Sequence, residues 1–433
     1  MATLKVIVRL RSPLLAGDSR PGSYGERSAL YLSGSVLRGA LGAKLAAECG
    51  HPLHSGSEGC EYARIFCSPS PPRFSPCYPA FETIPLPFPA TARTCKHYPG
   101  LLDTEDKNKH GVRDCLFATY LLEEQIERGR HVEIPVCERE GCGADLDPIQ
   151  GFYEYSSDGK RYQPHLWIQR LSKTAIDRAR CTAADELLYT MEIIADQMAT
   201  GRRGKEAHEV LKPTQLMGVV VVDETRSPLL AQRLREIEYL GGDSGRGLGL
   251  VSIEVQAHAT PKREIPQENI RLLALAARAG TEFSAVRGSC LAAQLALFNA
   301  ALRSAHGTDL PWPPGSLFFS IDLLSDTIWP HLGLPSDSLP EELHGASLVK
   351  GFSSARPLSG WNVGSGTMRS PRRAITAGSV FLYRFDHAGD PAALRILLDA
   401  LSTLESEGAG DDRERGFGFV KICSAFHQEA VSL

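Results

Sequence analysis

The sequence predicts an α+β protein of two related halves. Two observations carry that expectation: a strand, helix, glycine loop and strand follow one another twice, and a proline- and cysteine-dense stretch interrupts the first half. Lys5–Leu10 (KVIVRL) is apolar and β-branched and reads as the first strand. A turn-rich stretch with Asp18, Pro21, Gly22 and Gly25 follows it. Within SGSVLRGALGAKLAAECG, Ser33 or Ser35 can cap a helix, Val36, Leu37, Ala40, Leu41, Lys44 and Leu45 have helical spacing, and Gly50 stops it. ELLYTMEIIAD (186–196) and LMGVVVVD (216–223) read as strands, the second of them buried. Pro228–Tyr239 reads as a helix, GGDSGRGLG (241–249) as a glycine loop, and Leu250–Val255 alternates as a closing strand. The order then restarts with strands at 316–328 and 375–385. A helix over Pro391–Leu404 carries Leu394, Leu397, Leu398 and Leu401 along one side. A second glycine loop, GAGDDRERGFG (408–418), and a last strand, Phe419–Cys423, end the chain.

Strands with packed helices in this order suit a split βαβ, ferredoxin-like (RRM-like) fold used in tandem. The expected domains are 1–257 and 268–433, joined near His258–Gln267, with a Cys-rich insertion at 55–165 in the first. From Ser55 to Pro164 long periodic runs are scarce, so this insertion is expected to be held by something other than apolar packing.

Bulk composition narrows the function classes. At 433 residues the chain is comfortable for two domains, and 42% hydrophobic with 23% charged residues is ordinary for folded proteins. A formal net charge of −4 excludes a global polycation, so any nucleic-acid contact must come from local basic loops. No secretory pattern opens the chain and no run approaches the length of a membrane helix, so a cytoplasmic protein without membrane contact is expected. An odd 11 cysteines favour reduced thiols or metal ligands over a disulfide framework.

The glycine loops are the first chemical signal. Gly241, Gly242, Gly245, Gly247 and Gly249 surround Arg246; Gly408, Gly410, Gly416 and Gly418 surround Arg413 and Arg415. Such loops bring backbone amides and planar guanidinium donors to a phosphate, or else are tight helix-to-strand connections. The segment GRGLG follows a helix and precedes a strand, the reverse of a dinucleotide fingerprint. The second signal is Cys137-x4-Cys142 followed by Gly143, one arm of a zinc site that Cys95 and His97, or His110 and Cys115, can complete. The favoured set is Cys95, His110, Cys137 and Cys142, as a structural zinc that staples the insertion, while Cys60, Cys67 and Cys77 form a looser second group.

A helix, glycine loop and strand near a domain's end resembles the glycine-rich loop of the RAMP superfamily of CRISPR-associated proteins. SALYLSGSVLRGALGAKLA (28–46) and SKTAIDRARCTAADELLYTMEII (172–194) resemble two further superfamily elements. RIFCSPSPPRFSPCYPA, TCKHYPG, HGVRDCL, LSGWN and RRAITAGSVF, in that order, look closest to the type III-D RAMP family. One departure is Phe419 after the last GFG, where the family usually has a basic or small residue. The resemblance implies a subunit of a type III CRISPR effector ribonucleoprotein that holds the repeat-derived 5′ handle of the crRNA. Its neighbours would be the large polymerase-like subunit and backbone RAMP subunits, with target RNA met indirectly. Single-stranded RNA is held through phosphates, 2′-hydroxyls and stacking. Gly34, Arg38 and Gly39 on the first helix would then join the two loops, and Tyr24, Tyr31 and Trp361 are candidate stacking platforms beside a core role.

Some RAMP relatives cut precursor crRNA with a histidine near the first helix. Here His51 and His54 are the nearest, without a partner at telling spacing, and Asp18 suits a turn. No P-loop, nucleophile elbow or zincin motif is present. The expectation is a non-catalytic RNA-binding subunit. A metal-independent endoribonuclease and a protein-only adaptor are the alternatives.

Overall fold

The computed structural model describes residues 1–433 apart from 18–27, 50–59, 103–108, 128–134, 157–158, 178, 204–208, 259–263, 280–282, 307–311, 332–333, 363–366 and 429–433. The first half begins with β1 (Ala2–Leu10), whose Val6 and Val8 are fully buried. α1 (Gly34–Cys49) presents Leu37, Leu41 and Leu45 as one i, i+4 stripe to the same core, and the Ser33 carbonyl accepts from the Val36 N–H at its start. β2 (Arg73–Phe74) and β3 (Tyr78–Pro79) follow. After them come β4 (Ala92–Cys95), β5 (Val112–Asp114), α2 (Leu116–Glu127) and β6 (Leu146–Pro148). β7 (Ile168–Asp177) and β8 (Thr182–Ile194) form a long antiparallel hairpin. β9 (Gln215–Val222), α3 (Ser227–Arg235) and β10 (Val251–His258) complete the unit. The sheet runs β10–β1–β9–β2, with β3 also on β9, and every pairing is antiparallel.

The second half opens with two helices that periodicity did not single out, α4 (Gln267–Ala279) and α5 (Leu291–His306). Then come β11 (Leu317–Leu323), β12 (Ala346–Phe352), β13 (Ala355–Leu358), β14 (Arg372–Ile375), β15 (Val380–Phe385), α6 (Pro391–Glu407) and β16 (Val420–Ile422). The sheet runs β16–β11–β15–β12, again antiparallel throughout. The two sheets therefore repeat one strand order. All seven residues of β11 (LFFSIDL) are buried, including Ser320 and Asp322, whose side chains hydrogen-bond to each other, so the strand does not alternate apolar with exposed polar residues. The single strand expected at 375–385 is two: Gly378, at φ +85°, turns the chain between β14 and β15.

The insertion departs from expectation. Its β2 and β3 are strands of the first sheet. Leu116, Phe117, Tyr120 and Leu121 of α2 lie in the second half's core, with the Phe117 ring 5.0 Å from that of Phe298. Phe88 and Tyr153 pack with Phe426 near the C-terminus. Apolar packing thus does hold this stretch. Its aromatic partners in the second half, Phe298 and Phe426, are far away in sequence, so no local period records them.

A fully buried His427 fastens the same interface. Its Nδ1 lies 2.8 Å from Asp114 Oδ2 and its Nε2 2.5 Å from Asp322 Oδ1. Asp114 also accepts from Thr91 Oγ1 and the Leu116 N–H, and Asp322 from Ser320 Oγ. Burial lowers the imidazole pKa, but the two carboxylates outweigh it and carry it from 6.5 to about 10.

Candidate nucleic-acid interface and metal centre

The two glycine loops match residue for residue without a gap, Gly241–Leu250 on Gly410–Phe419. The Leu240 N–H donates to the Gly249 carbonyl at 2.9 Å and the Ala409 N–H to the Gly418 carbonyl at 2.8 Å. The Gly249 N–H reaches the Pro13 carbonyl as the Gly418 N–H reaches that of Asp326, and the Gly242 N–H reaches Leu15 as the Asp411 N–H reaches Ile328. Even the side chains correspond: Ser12 Oγ accepts from the Leu250 N–H and Ser325 Oγ from the Phe419 N–H, both at 2.9 Å. Leu248 packs on Leu15, Leu171 and Ile193 as Phe417 packs on Ile328, Leu358 and Ala374.

Each loop turns through a left-handed aspartate, Asp243 at φ 55° and Asp412 at φ 54°, and closes a short 3-10 turn on a left-handed glycine, Gly247 or Gly416. The aspartate holds the loop's own arginine, with Arg246 Nη1 3.3 Å from Asp243 and Arg415 Nη1 3.0 Å from Asp412. The neighbouring hairpin supplies a second cation to each, Lys173 at 3.1 Å and Arg372 at 3.4 Å. Burial raises the Asp243 pKa, yet the hydrogen bonds from Lys173 and Arg246 outweigh it and hold the carboxyl below its ordinary value. Most of the glycine amides are spent inside the protein. Those of Gly242, Gly247, Gly249, Gly416 and Gly418 donate to protein carbonyls, so the outward donors of each loop are chiefly guanidinium groups.

The two loops differ in what covers them. The start of α1 rests on the second: a Cβ on Gly34 would stand 1.9 Å from the Phe74 carbonyl oxygen, and one on Gly416 would stand 3.1 Å from the Gly34 Cα. Arg73 donates to the Ser406 carbonyl and lies 5.1 Å over the Phe419 ring, so the residue that departs from the family pattern is covered by a cation. Gly34 therefore meets the second loop, whereas Gly39, on the exposed side of α1, meets nothing within 4 Å. Around the first loop, Gly245 and Gly247 also have nothing within 4 Å.

A residue the sequence did not single out completes this junction. Burial and then the charges of Arg415, Arg38 and Arg372 push the Arg369 pKa down, with Asp412 opposing. Two guanidinium groups, those of Arg372 and Arg415, thus pair with Asp412, and the charges of both and of Arg38 act on Arg369. Arg38 lies 4.8 Å over the Phe66 ring and its buried Nε makes no hydrogen bond within the protein. Arg369 sits in a stretch without periodicity, and only its density of arginines (MRSPRR, 368–373) signals it.

The favoured metal set is brought together: the ligand atoms of Cys95, His110, Cys137 and Cys142 all lie within 4.8 Å of one another. Cys95 and Cys142 Sγ are 3.7 Å apart, and His110 Nδ1 is 3.3 Å from Cys137 Sγ. Thiolates on a tetrahedral zinc stand about 3.8 Å apart, so this donor set and spacing fit that ion. Burial raises the Cys95 pKa, but the N–H groups of Tyr98 and His97 and the neighbouring thiols outweigh it and hold the thiol below its ordinary range. Cys137 is pushed up to about 11, by burial and by the thiols of Cys142 and Cys95 against the Arg139 N–H. Among the described residues this is the one group of three or more possible ligands. Cys60, Cys67 and Cys77 form none, and the Cys77 thiol is raised by burial to about 12.

Of the stacking candidates, Tyr31 packs edge-on against Tyr78 and Phe152 and its hydroxyl accepts from Arg356 at 2.5 Å. Tyr24, Asp18, His51 and His54 lie outside the described residues. Trp361 starts a two-residue strand. No helix among the described residues is long and apolar enough to cross a membrane.

No family model matches the chain, and no curated protein matches it. Among solved structures, a chain of the type III-B Cmr-beta complex bound to cognate target RNA and AMPPnP is similar with a TM-score of 0.41 at 13% identity, covering 87% of this chain and 86% of that one. A chain of a type IV-B CRISPR complex gives 0.24 at 15% identity over 61% and 93%. Oligomeric Cmr4 from Pyrococcus furiosus gives 0.23 at 14% over 60% and 100%. At these scores none of the three bears on what this chain does.

Proposed function

We propose that this chain is a non-catalytic RNA-binding subunit of a type III CRISPR effector ribonucleoprotein, built from two ferredoxin-like RAMP units, closest to the type III-D family. It holds the 5′ handle of the crRNA beside the large polymerase-like subunit and backbone RAMP subunits. The observation that carries this reading is the cation cluster at the second loop: Arg372 and Arg415 pair with Asp412, and the charges of Arg415, Arg38 and Arg372 act on a partly buried Arg369. Like charges held close together are unfavourable unless an anion joins them, and the unspent Nε of Arg38 is a donor in want of an acceptor. A phosphodiester chain supplies both. The family motifs and the duplicated sheet order support the same reading.

The test is salt-dependent binding of repeat-derived single-stranded RNA. Replacing Arg369 and Arg415 together by alanine should flatten the log–log salt slope by about 1.4, roughly 0.7 for each phosphate no longer neutralised. An unchanged slope would refute the assignment. Repeat RNA incubated with the protein should stay intact, since His427, the histidine with paired carboxylates, is sealed from solvent. Shortened RNA would revive the endoribonuclease alternative.

Cys95, His110, Cys137 and Cys142 hold a structural zinc in this reading, tying β4, β5 and the 137–142 turn together in a segment whose small sheet has little core of its own. Metal analysis should find one equivalent per chain. Cys142→Ser should lose it and make residues 92–148 more sensitive to protease.

A further inference from the structure

The β4–β5 ladder of the insertion carries different chemistry at its two ends. Ala92 stands opposite Asp114, Arg93 opposite Arg113 and Thr94 opposite Val112. Cys95 and His110 lie beyond the Thr94–Val112 end, where Cys137 and Cys142 join them. Arg113, midway along β5, donates to the Val136 carbonyl at 3.1 Å and pairs with Glu138, so both flanks of Cys137 are tied to the ladder. Asp114 closes the other end, held by the Thr91 hydroxyl, and lies 2.8 Å from His427 Nδ1. The same carboxylate accepts from the Leu116 N–H, so it also ties down the start of α2, whose Leu116, Phe117 and Tyr120 sit in the second core. The two ends are pinned unequally. Ala92 and Val112 share an apolar cluster with Phe426, the neighbour of His427. At the other end, among the described residues, the cluster is Cys95, Cys137 and Cys142 with Ala144 and Leu146, so the thiols are most of its core. Gly141 and Gly143, at φ +75° and +58°, flank Cys142 and meet nothing within 4 Å.

We propose that a zinc ion held by Cys95, His110, Cys137 and Cys142 is a remote brace for the join between the insertion and the second unit. By fixing one end of the β4–β5 ladder it aims Asp114, at the other end, at His427 and at the start of α2. Three residue pairs separate the two ends, so a displacement at the metal end reaches Asp114 before the chain can absorb it. Charge-assisted hydrogen bonds weaken steeply on misalignment, so the clasp responds to small shifts of the strand. Withdrawing the ion therefore loosens the clasp and α2 together, although neither supplies a ligand. The inference rests on the metal assignment above and adds that the effect of metal loss crosses from the insertion into the C-terminal segment.

The test is hydrogen exchange of the full chain, followed by mass spectrometry, with zinc bound, after stripping by a chelator, and after reloading with zinc alone. Stripping should speed exchange in residues 116–127 and 424–428 at least about 10-fold, the counterpart of one lost charge-assisted hydrogen bond, and reloading should reverse it. β1 and β9 of the first sheet should not change. In Asp114→Asn the same segments should exchange fast even with zinc bound, and stripping should add little, because both changes break one connection. His427→Gln cuts the clasp from the other side and should behave alike, which keeps the comparison open if one variant folds poorly. Fully additive effects would overturn the inference. So would a rise confined to 92–98, 110–113 and 135–148 with 116–127 and 424–428 still protected, and that result would leave the metal assignment standing. A chain that takes up no zinc would overturn both.

Discussion

The first and second glycine loops share a backbone and differ in surroundings. Both wind through a left-handed aspartate and a left-handed glycine, and both spend the same amides on the same kind of acceptor. Yet Arg246 points into solvent with its side chain 62% exposed, whereas Arg415 is 29% exposed among three other arginines under the start of α1. A loop motif therefore specifies a conformation, while its partners decide how much of that conformation faces solvent.

The widest separation between the loops should appear on adding a methyl group. Gly34→Ala drives a Cβ into the Phe74 carbonyl, an obstacle that cannot rotate away, and should cost about 3 kcal/mol in denaturant unfolding. Next comes RNA affinity. Arg369→Ala should weaken binding of repeat RNA about 10-fold, consistent with a loss of about 1.5 kcal/mol for one charge-assisted hydrogen bond, and Arg246→Ala should leave it unchanged. Equal losses would mean that both loops touch RNA and that the comparison fails. Gly247→Ala, in open space but at φ +86°, should cost about 1 kcal/mol from backbone strain alone. Gly245→Ala, open and without a positive φ, should fall within about 0.5 kcal/mol of wild type.

A pH series probes the join between the insertion and the second unit, which the Asp114–His427–Asp322 clasp fastens. The folded pKa of His427 is raised, so its stabilisation is fully present below 6.5 and is lost as pH rises toward about 10. His427→Gln should therefore lower the melting temperature most near pH 6 and least near pH 10. A difference that stays constant with pH would mean that the histidine is neutral in the fold.

Much of the regular structure was legible because its cause is local. The stripe Leu37, Leu41 and Leu45, the alternation of β10, the buried run of β9 and the glycines of both loops each reflect a period or a φ requirement within a few residues. The cluster that could hold a metal was legible from residue type, since Cys95, His110, Cys137 and Cys142 bring soft donors to a segment short of apolar runs. α4 and α5 were missed, although α4 is amphipathic by its buried Ile270, Leu273, Ala274 and Ala277. α5 buries apolar residues on several sides, which blurs its period.

By itself the sequence determined the repeated order of elements, the left-handed turns and the thiol–imidazole set, because each depends on the chemistry of neighbouring residues. Only the tertiary structure decided that the insertion gives strands to the first sheet and its helix α2 to the second core, that the charges of Arg38 and Arg415 act on Arg369, and that one glycine loop is covered while its twin is bare. Those outcomes depend on packing between segments tens to hundreds of residues apart. Steric fit and charge select such packing only once both sheets exist, and no period in the chain encodes it.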